Sequence, residues 1–211
     1  MKQTMVESIR KLFGRHVAPE AAAALTSGAG NSRVQSIVAM VTNITDSWRW
    51  MDTVDPTTLT RTINQYYSTV SHEVMVHGGM LDKFMGDRTL TLFLSPSPDL
   101  RQEISCALDL LSKLQELRLT SPDGTAYGFN VSLVAGEAFL GTWGDEMRMN
   151  YTAIGKPASL AFRLCSAAKP DSLIIDAGTF RLIPSHLKTA RRARLTQAET
   201  GAAYEISLEE E

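Results

Sequence analysis

Two pairs of residues have the types and spacing to act on a charged ligand. Lys83 and Asp87 flank Met85-Gly86, which reads as a hairpin turn, so a cation and a carboxylate are held on adjacent strand ends with little freedom. That arrangement suits a metal or phosphate site, and it equally suits a solvent-exposed turn with a weak ion pair. Arg163 follows Ser159 by four residues, which puts both side chains on one helical face beside Leu160 and Leu164. A guanidinium there can clamp a phosphate through its planar fork, although a surface arginine near a helix start has the same signature. Other reactive types read as structural. His72 and His77 lie near the end of an amphipathic helix with no third ligand in the pattern, which favours helix-end solvation over metal binding. Cys106 and Cys165 are far apart without a CxxC spacing and read as buried core thiols rather than a redox pair or metal site.

The elements that must position these residues follow from periodicity. Met5, Val6, Ile9, Leu12 and Phe13 share one face of an amphipathic entry helix, and residues 21–25 suggest a second short helix. Ser27-Gly28-Ala29-Gly30-Asn31-Ser32 reads as a hinge, so residues 1–32 are expected to form a helical linker segment and residues 33–211 the compact domain. Residues 34–41 are apolar and β-branched enough for a buried strand. Asp55-Pro56 opens a helix that runs to about Val76 and stops at His77-Gly78-Gly79. Two short strands fold back on each other over residues 80–94, and a helix follows over about 98–117. Residues 127–140 and 149–153 read as strands, Pro157 starts a helix with Leu160, Ala161 and Leu164 inward, and residues 173–175 and 203–208 add short strands. The order predicts an α+β fold, an α/β sandwich with a ferredoxin-like βαββαβ core plus extra strands, and one sheet with helices on one face. Glu209-Glu210-Glu211 reads as a solvated tail, Arg191, Arg192 and Arg194 as a solvated basic edge, and the nine methionines as core filler.

Composition narrows the partners. With 211 residues and 44% apolar content the chain can bury a full core. A net charge of −2 lacks the basic footprint that a phosphate backbone requires, so no nucleic-acid partner is expected. No stretch approaches the ~20 apolar residues of a membrane span, and the first residues lack a secretory apolar run. A cytoplasmic domain with no membrane contact of its own is expected, either alone or as the cytosolic part of a larger receptor-type protein.

Three segments together resemble the class III adenylate/guanylate cyclase catalytic domain. They are Leu81-Asp82-Lys83-Phe84-Met85-Gly86-Asp87, Met147-Arg148-Met149-Asn150-Tyr151-Thr152-Ala153-Ile154-Gly155 and Ser159-Leu160-Ala161-Phe162-Arg163-Leu164. Leu12-Phe13-Gly14-Arg15-His16-Val17-Ala18-Pro19-Glu20 also resembles the segment that often precedes that domain in receptor-type cyclases. The resemblance implies that two domains pair head to tail and share each site. One domain supplies two metal aspartates, and the other supplies base-reading residues, an asparagine and an arginine. It places Lys83 and Thr152 in the purine-reading pair of adenine type, Asp87 at the second metal aspartate and Arg163 at the transition-state arginine. A lysine can donate to the adenine ring and a threonine oxygen can accept from its amine, whereas guanine demands the opposite donor pattern.

Other positions depart from the family pattern. Asn43 stands at the first metal aspartate and Ser159 at the asparagine. Asp46, Ser47 and Trp48 replace a small Gly-Phe-Thr turn that holds phosphates, and Gln197 falls roughly where a phosphate-binding lysine is common. Trp48 or Trp50 is expected to pack at a dimer interface or fill the emptied phosphate pocket. The implied ligand is ATP and the implied metal Mg²⁺ or Mn²⁺, held weakly because Asn43 adds no charge. The implied assembly is a homodimer or a heterodimer with another cyclase domain. Three functions remain open: an adenylate cyclase-like domain with weak or lost activity, an active Mn²⁺-preferring adenylate cyclase, and a non-catalytic regulatory dimeriser.

Overall fold

A computed structural model describes residues 32–117, 119–121, 124–145, 147–185 and 201–207. The expected entry helix, the second short helix, the hinge through Asn31, the basic run at 191–194, Gln197 and the acidic end lie outside the described residues. So does the side chain of Trp50. In chain order the elements are β1 (Arg33–Ile44), α1 (Trp48–Met51), α2 (Pro56–Val76), β2 (Met80–Met85), β3 (Arg88–Phe93) and α3 (Arg101–Glu116). They continue with β4 (Phe129–Gly144), β5 (Met149–Ile154), α4 (Lys156–Ala167), β6 (Ser172–Asp176), α5 (Ala177–Leu182) and β7 (Ala203–Ser207).

Local chemistry sets the boundaries. The Asp55 carboxylate accepts from the backbone N–H of Thr57 and Thr58, each at 3.0 Å, and Pro56 occupies the first turn, where its missing N–H costs nothing. Thr62, Tyr66, Val70, Glu73 and Val74 form the buried stripe of α2. The helix stops because Gly78 turns left-handed at φ 71°, letting the Gly79 N–H reach the Val74 carbonyl at 2.8 Å.

The sheet runs β2-β3-β1-β4-β6-β7, and β5 pairs with the second half of β4 beyond the stretch that holds β6. β4-β1-β3-β2 is antiparallel throughout, the strand order of the expected ferredoxin-like core. Helices cover both faces of the sheet, in contrast to the single face expected. Tyr66, Val70 and Val74 of α2 and Ile104, Leu110, Leu111 and Leu114 of α3 pack against Val38, Met40 and Ile44. Leu160, Ala161, Leu164 and Cys165 of α4 pack against Ile37, Ala39 and Val41 on the other side. The unbroken buried run from Ile37 to Ile44 has this cause, since a strand covered on one face alone alternates with water. α1 and α5 were not expected, being too short to show a helical period.

Candidate functional site

The β2-β3 hairpin carries the first group. The pairing register passes from Leu81↔Thr91 to Lys83↔Leu90, which leaves Asp82 as the extra residue of a β-bulge. The bulge turns the Asp82 side chain inward until it is only 4% exposed. There its Oδ2 accepts the Thr152 hydroxyl at 2.6 Å and lies 3.2 Å from Lys83 Nζ. Lys83 Nζ also donates to Thr152 Oγ1 at 3.4 Å. Four ladder steps separate β2 from β5, about 19 Å in a flat sheet at ~4.8 Å per strand, so this contact requires the sheet to curl strongly. Burial pushes the Asp82 carboxyl above its ordinary range, and the Thr152 hydroxyl and Lys83 ammonium offset only part of that. The threonine proton is thereby committed to Asp82, and the outward capacity of Thr152 Oγ1 is that of an acceptor.

The second group forms where β1 ends beside the hairpin turn. Asn43 and Arg88 face each other across the β1-β3 ladder, and Arg88 Nε donates to Asn43 Oδ1 at 3.2 Å. The same Nε lies 3.8 Å from Asp87 Oδ1, and Asp87 Oδ2 accepts from Ser47 Oγ at 2.5 Å. The Asp87 carbonyl accepts the Ile44 N–H at 2.9 Å, and Tyr67 Oη holds the Gly86 carbonyl at 2.7 Å, so the turn is tied to β1 and to α2. Gly86 takes φ 66°, as such a turn requires. These donors do not fit the pair of divalent ions that the resemblance implies. One carboxylate is present, one of its oxygens accepts from Ser47 while the other lies 3.8 Å from a guanidinium, and the neutral amide accepts from that same guanidinium.

α4 carries the remaining residues. Ser159 and Arg163 lie on its outer surface. Ser159 Oγ donates weakly to the Lys156 carbonyl at 3.5 Å within its own helix. Among the described residues, Arg163 pairs with no acid, and neither residue bonds to the hairpin groups. The structure thus brings Lys83 to Thr152 and Asn43 to Asp87, and leaves Ser159 and Arg163 apart from both. Asp82 and Arg88 were missed in the sequence. Asp82 had one visible signal, a carboxylate inside the apolar run of a strand; Arg88 had only its place beside Asp87.

Trp48 is 68% exposed, with the Arg49 guanidinium 5.4 Å from its ring, so it does not fill a phosphate pocket in this chain. Asp46, at φ 51°, lies 4.0 Å from Arg49 on the surface. His77 is drawn in rather than solvated: Nδ1 donates to the Glu73 carbonyl at 3.0 Å and Nε2 lies 3.2 Å from Asp109. Glu73, His77 and Asp109 bring potential ligand atoms within 4.8 Å of one another, but Lys113 Nζ already stands 2.5 Å from Glu73 Oε1 as the local cation. A surface depression of about 720 Å³ lined by His77, Ser97, Arg101 and Gln102 shares no residue with either hairpin group. Among the described residues no helix is long and apolar enough to cross a membrane.

The fold is that of the class III adenylyl and guanylyl cyclase catalytic domains. A bacterial light-regulated adenylyl cyclase superposes with TM-score 0.78 at 19% identity over 96% of this chain and 61% of that one. The guanylyl cyclase Cya2 gives 0.69 at 19% identity over 82% and 91%, and the adenylyl cyclase CyaB from P. aeruginosa gives 0.67 at 19% over 85% and 97%. In sequence, the chain is 31% identical over 179 residues to an uncharacterized protein of Mycobacterium tuberculosis, covering 82% of this chain and 32% of that protein. An uncharacterized protein of Mycobacterium bovis matches to the same extent. The chain spans about a third of the length of the curated relatives it matches. No family model matches it.

Proposed function

We propose that this domain binds an adenine nucleoside triphosphate as class III cyclases do, and converts it to cyclic AMP and pyrophosphate slowly or not at all. The observation that carries the adenine preference is the Asp82-Thr152-Lys83 chain. Asp82 accepts the hydrogen bond of the threonine hydroxyl, so Thr152 Oγ1 meets the base as an acceptor suited to the adenine amine, while Lys83 supplies a donor for the ring nitrogen. Guanine presents an oxygen where adenine presents the amine, and two acceptors would then face each other.

Weak turnover follows from the other positions. A pair of divalent ions would supply activation of the ribose 3′ hydroxyl and charge neutralisation at the leaving pyrophosphate, and the Asn43-Asp87 set does not fit them. The short Ser159 side chain, bonded back to its own helix, falls short of the atoms an asparagine would reach. Each loss removes a few kcal/mol of transition-state stabilisation, roughly 10²-fold in rate per group. Arg163, on the outer surface of α4, remains available to meet phosphate charge.

The domain acts in pairs in this reading, as a homodimer or beside another cyclase domain. A cross-strand row of apolar side chains supports that: Val34 pairs with Phe139 and Phe139 with Ile154, and they are 55%, 53% and 48% exposed. The test is a cyclic AMP assay with Mn²⁺ on the native chain beside Asn43→Asp/Ser159→Asn. The expected result is product from the double variant only. Product from the native chain at comparable rate would instead favour an active Mn²⁺-preferring cyclase, and neither activity nor ATP binding would leave a regulatory dimeriser.

A further inference from the structure

Two positions expected to hold metal converge on one side chain of this chain. Asn43 Oδ1 accepts from Arg88 Nε, and Asp87 Oδ1 lies 3.8 Å from the same nitrogen. This placement is built into the fold, since Arg88 is the ladder partner of Asn43 and the chain neighbour of Asp87. Asn43 is 7% exposed and Ser47, which holds the other Asp87 oxygen, is 3% exposed, so the base of the group is closed to water. Arg88 itself is about a third exposed, at 34%. Among the described residues its two terminal nitrogens make no hydrogen bond, so their donors are uncommitted. Asp87 and Arg88 stand as opposite charges 3.8 Å apart, so a dication entering beside Asp87 would meet a fixed positive charge within ~4 Å. A phosphate reaching those nitrogens would meet a planar donor pair matched to its oxygens.

We propose that Arg88 is a tethered cation standing in place of the divalent metal, and that it holds the triphosphate of the nucleotide so that binding needs no metal ion. This rests on the reading of the domain as a nucleoside triphosphate binder. The guanidinium, partly offset by Asp87, supplies hydrogen-bond donors and a single positive charge where two dications would contribute four, which suits holding phosphate oxygens and is too little to activate a hydroxyl. Asn43 gains a specific role in this arrangement. As a neutral acceptor it orients Arg88 without adding a second carboxylate beside Asp87 to neutralise the guanidinium.

The test measures binding of a fluorescent ATP analogue to the full chain in EDTA and in Mn²⁺, with Mn²⁺ binding to the apo chain read by electron paramagnetic resonance. The native chain should bind the analogue with affinities within about threefold in the two conditions, and should show no ordered Mn²⁺. Arg88→Ala should weaken binding in EDTA roughly 10- to 100-fold, the loss expected for charge-assisted bonds. Arg88→Lys should fall between, and circular dichroism should show both variants folded. Asn43→Asp/Arg88→Ala should acquire bound Mn²⁺ and a metal requirement for the analogue. Binding by the native chain only in Mn²⁺ would overturn the role of Arg88 while leaving the nucleotide reading intact. Absence of binding in both conditions would overturn the two together.

Discussion

Thr152→Val changes almost no volume and removes one hydroxyl, which makes it a sharp probe of the Asp82 group. The variant strips the 2.6 Å hydrogen bond from a carboxylate that is 4% exposed, leaving Lys83 at 3.2 Å as its main partner. A hydrogen bond to a charged group contributes about 1.5–3 kcal/mol. For a domain of this size each kcal/mol shifts Tm by about 2–4 °C, so a fall of about 3–12 °C at pH 7 is expected. The pH dependence carries more information. Burial already raises the Asp82 pKa in the folded state, so its contribution is fully present below the unfolded value of ~3.9 and is lost as pH rises through the folded value. Removing the Thr152 donor raises the folded value further, so the deficit of the variant should grow from pH 4 to pH 7. Thr152→Ser, which keeps the hydroxyl, should restore most of the stability. A double-mutant cycle with Asp82→Asn should return a coupling in the same range as the single loss. On the ligand side, loss of one neutral acceptor should weaken an adenine nucleotide about fivefold and leave a guanine nucleotide unchanged or tighter. Melting within about 1 °C of the native chain at pH 7, or an equal deficit at pH 4 and pH 7, would refute the claim that Thr152 donates its hydroxyl to the Asp82 carboxylate.

Two further expectations follow from buried groups away from the hairpin. Burial pushes both thiols, Cys106 and Cys165, up to about 12, so a disulfide reagent at pH 8 should titrate none in the native chain and two in denaturant; rapid native labelling would contradict their placement in the core. Burial alone would raise the Glu73 carboxyl, but hydrogen bonds and charge from Lys113 and His72 outweigh it and hold it below its ordinary value. Its contribution is therefore present above the unfolded carboxylate value and lost as pH falls through the folded one. Lys113→Ala should move the acid unfolding midpoint, followed by circular dichroism, to higher pH, and an unmoved midpoint would show that the pair does not hold α2 to α3.

Much of the framework is legible along the chain because it depends on neighbours in sequence. The Asp55-Pro56 cap, the Gly78 stop, the hairpin around Gly86 and the inward stripe Leu160-Ala161-Leu164 are each decided within a few residues. The unbroken apolar run in β1 also held the information that both faces of the sheet are covered, which the expected single layer of helices overlooked. Lys83 and Asp87 could be singled out by type and spacing, Thr152 and Asn43 only through the family resemblance, and the fold gathers them into two groups at the hairpin.

Tertiary structure decided what each of those residues faces. Asp82 and Lys83 are adjacent in the chain, but which of them turns inward depends on a bulge in the pairing of β2 with β3. Thr152 meets them across 69 and 70 residues of sequence because the sheet curls, a property of all its strands together. Arg88 reaches Asn43, 45 residues away, through ladder register alone. A one-residue slip would send it to the opposite face and leave an ordinary surface arginine. Residue type and local order determined the chemistry this protein can carry. Strand register and curl, set by burial over the whole sheet, determined which charges that chemistry would meet.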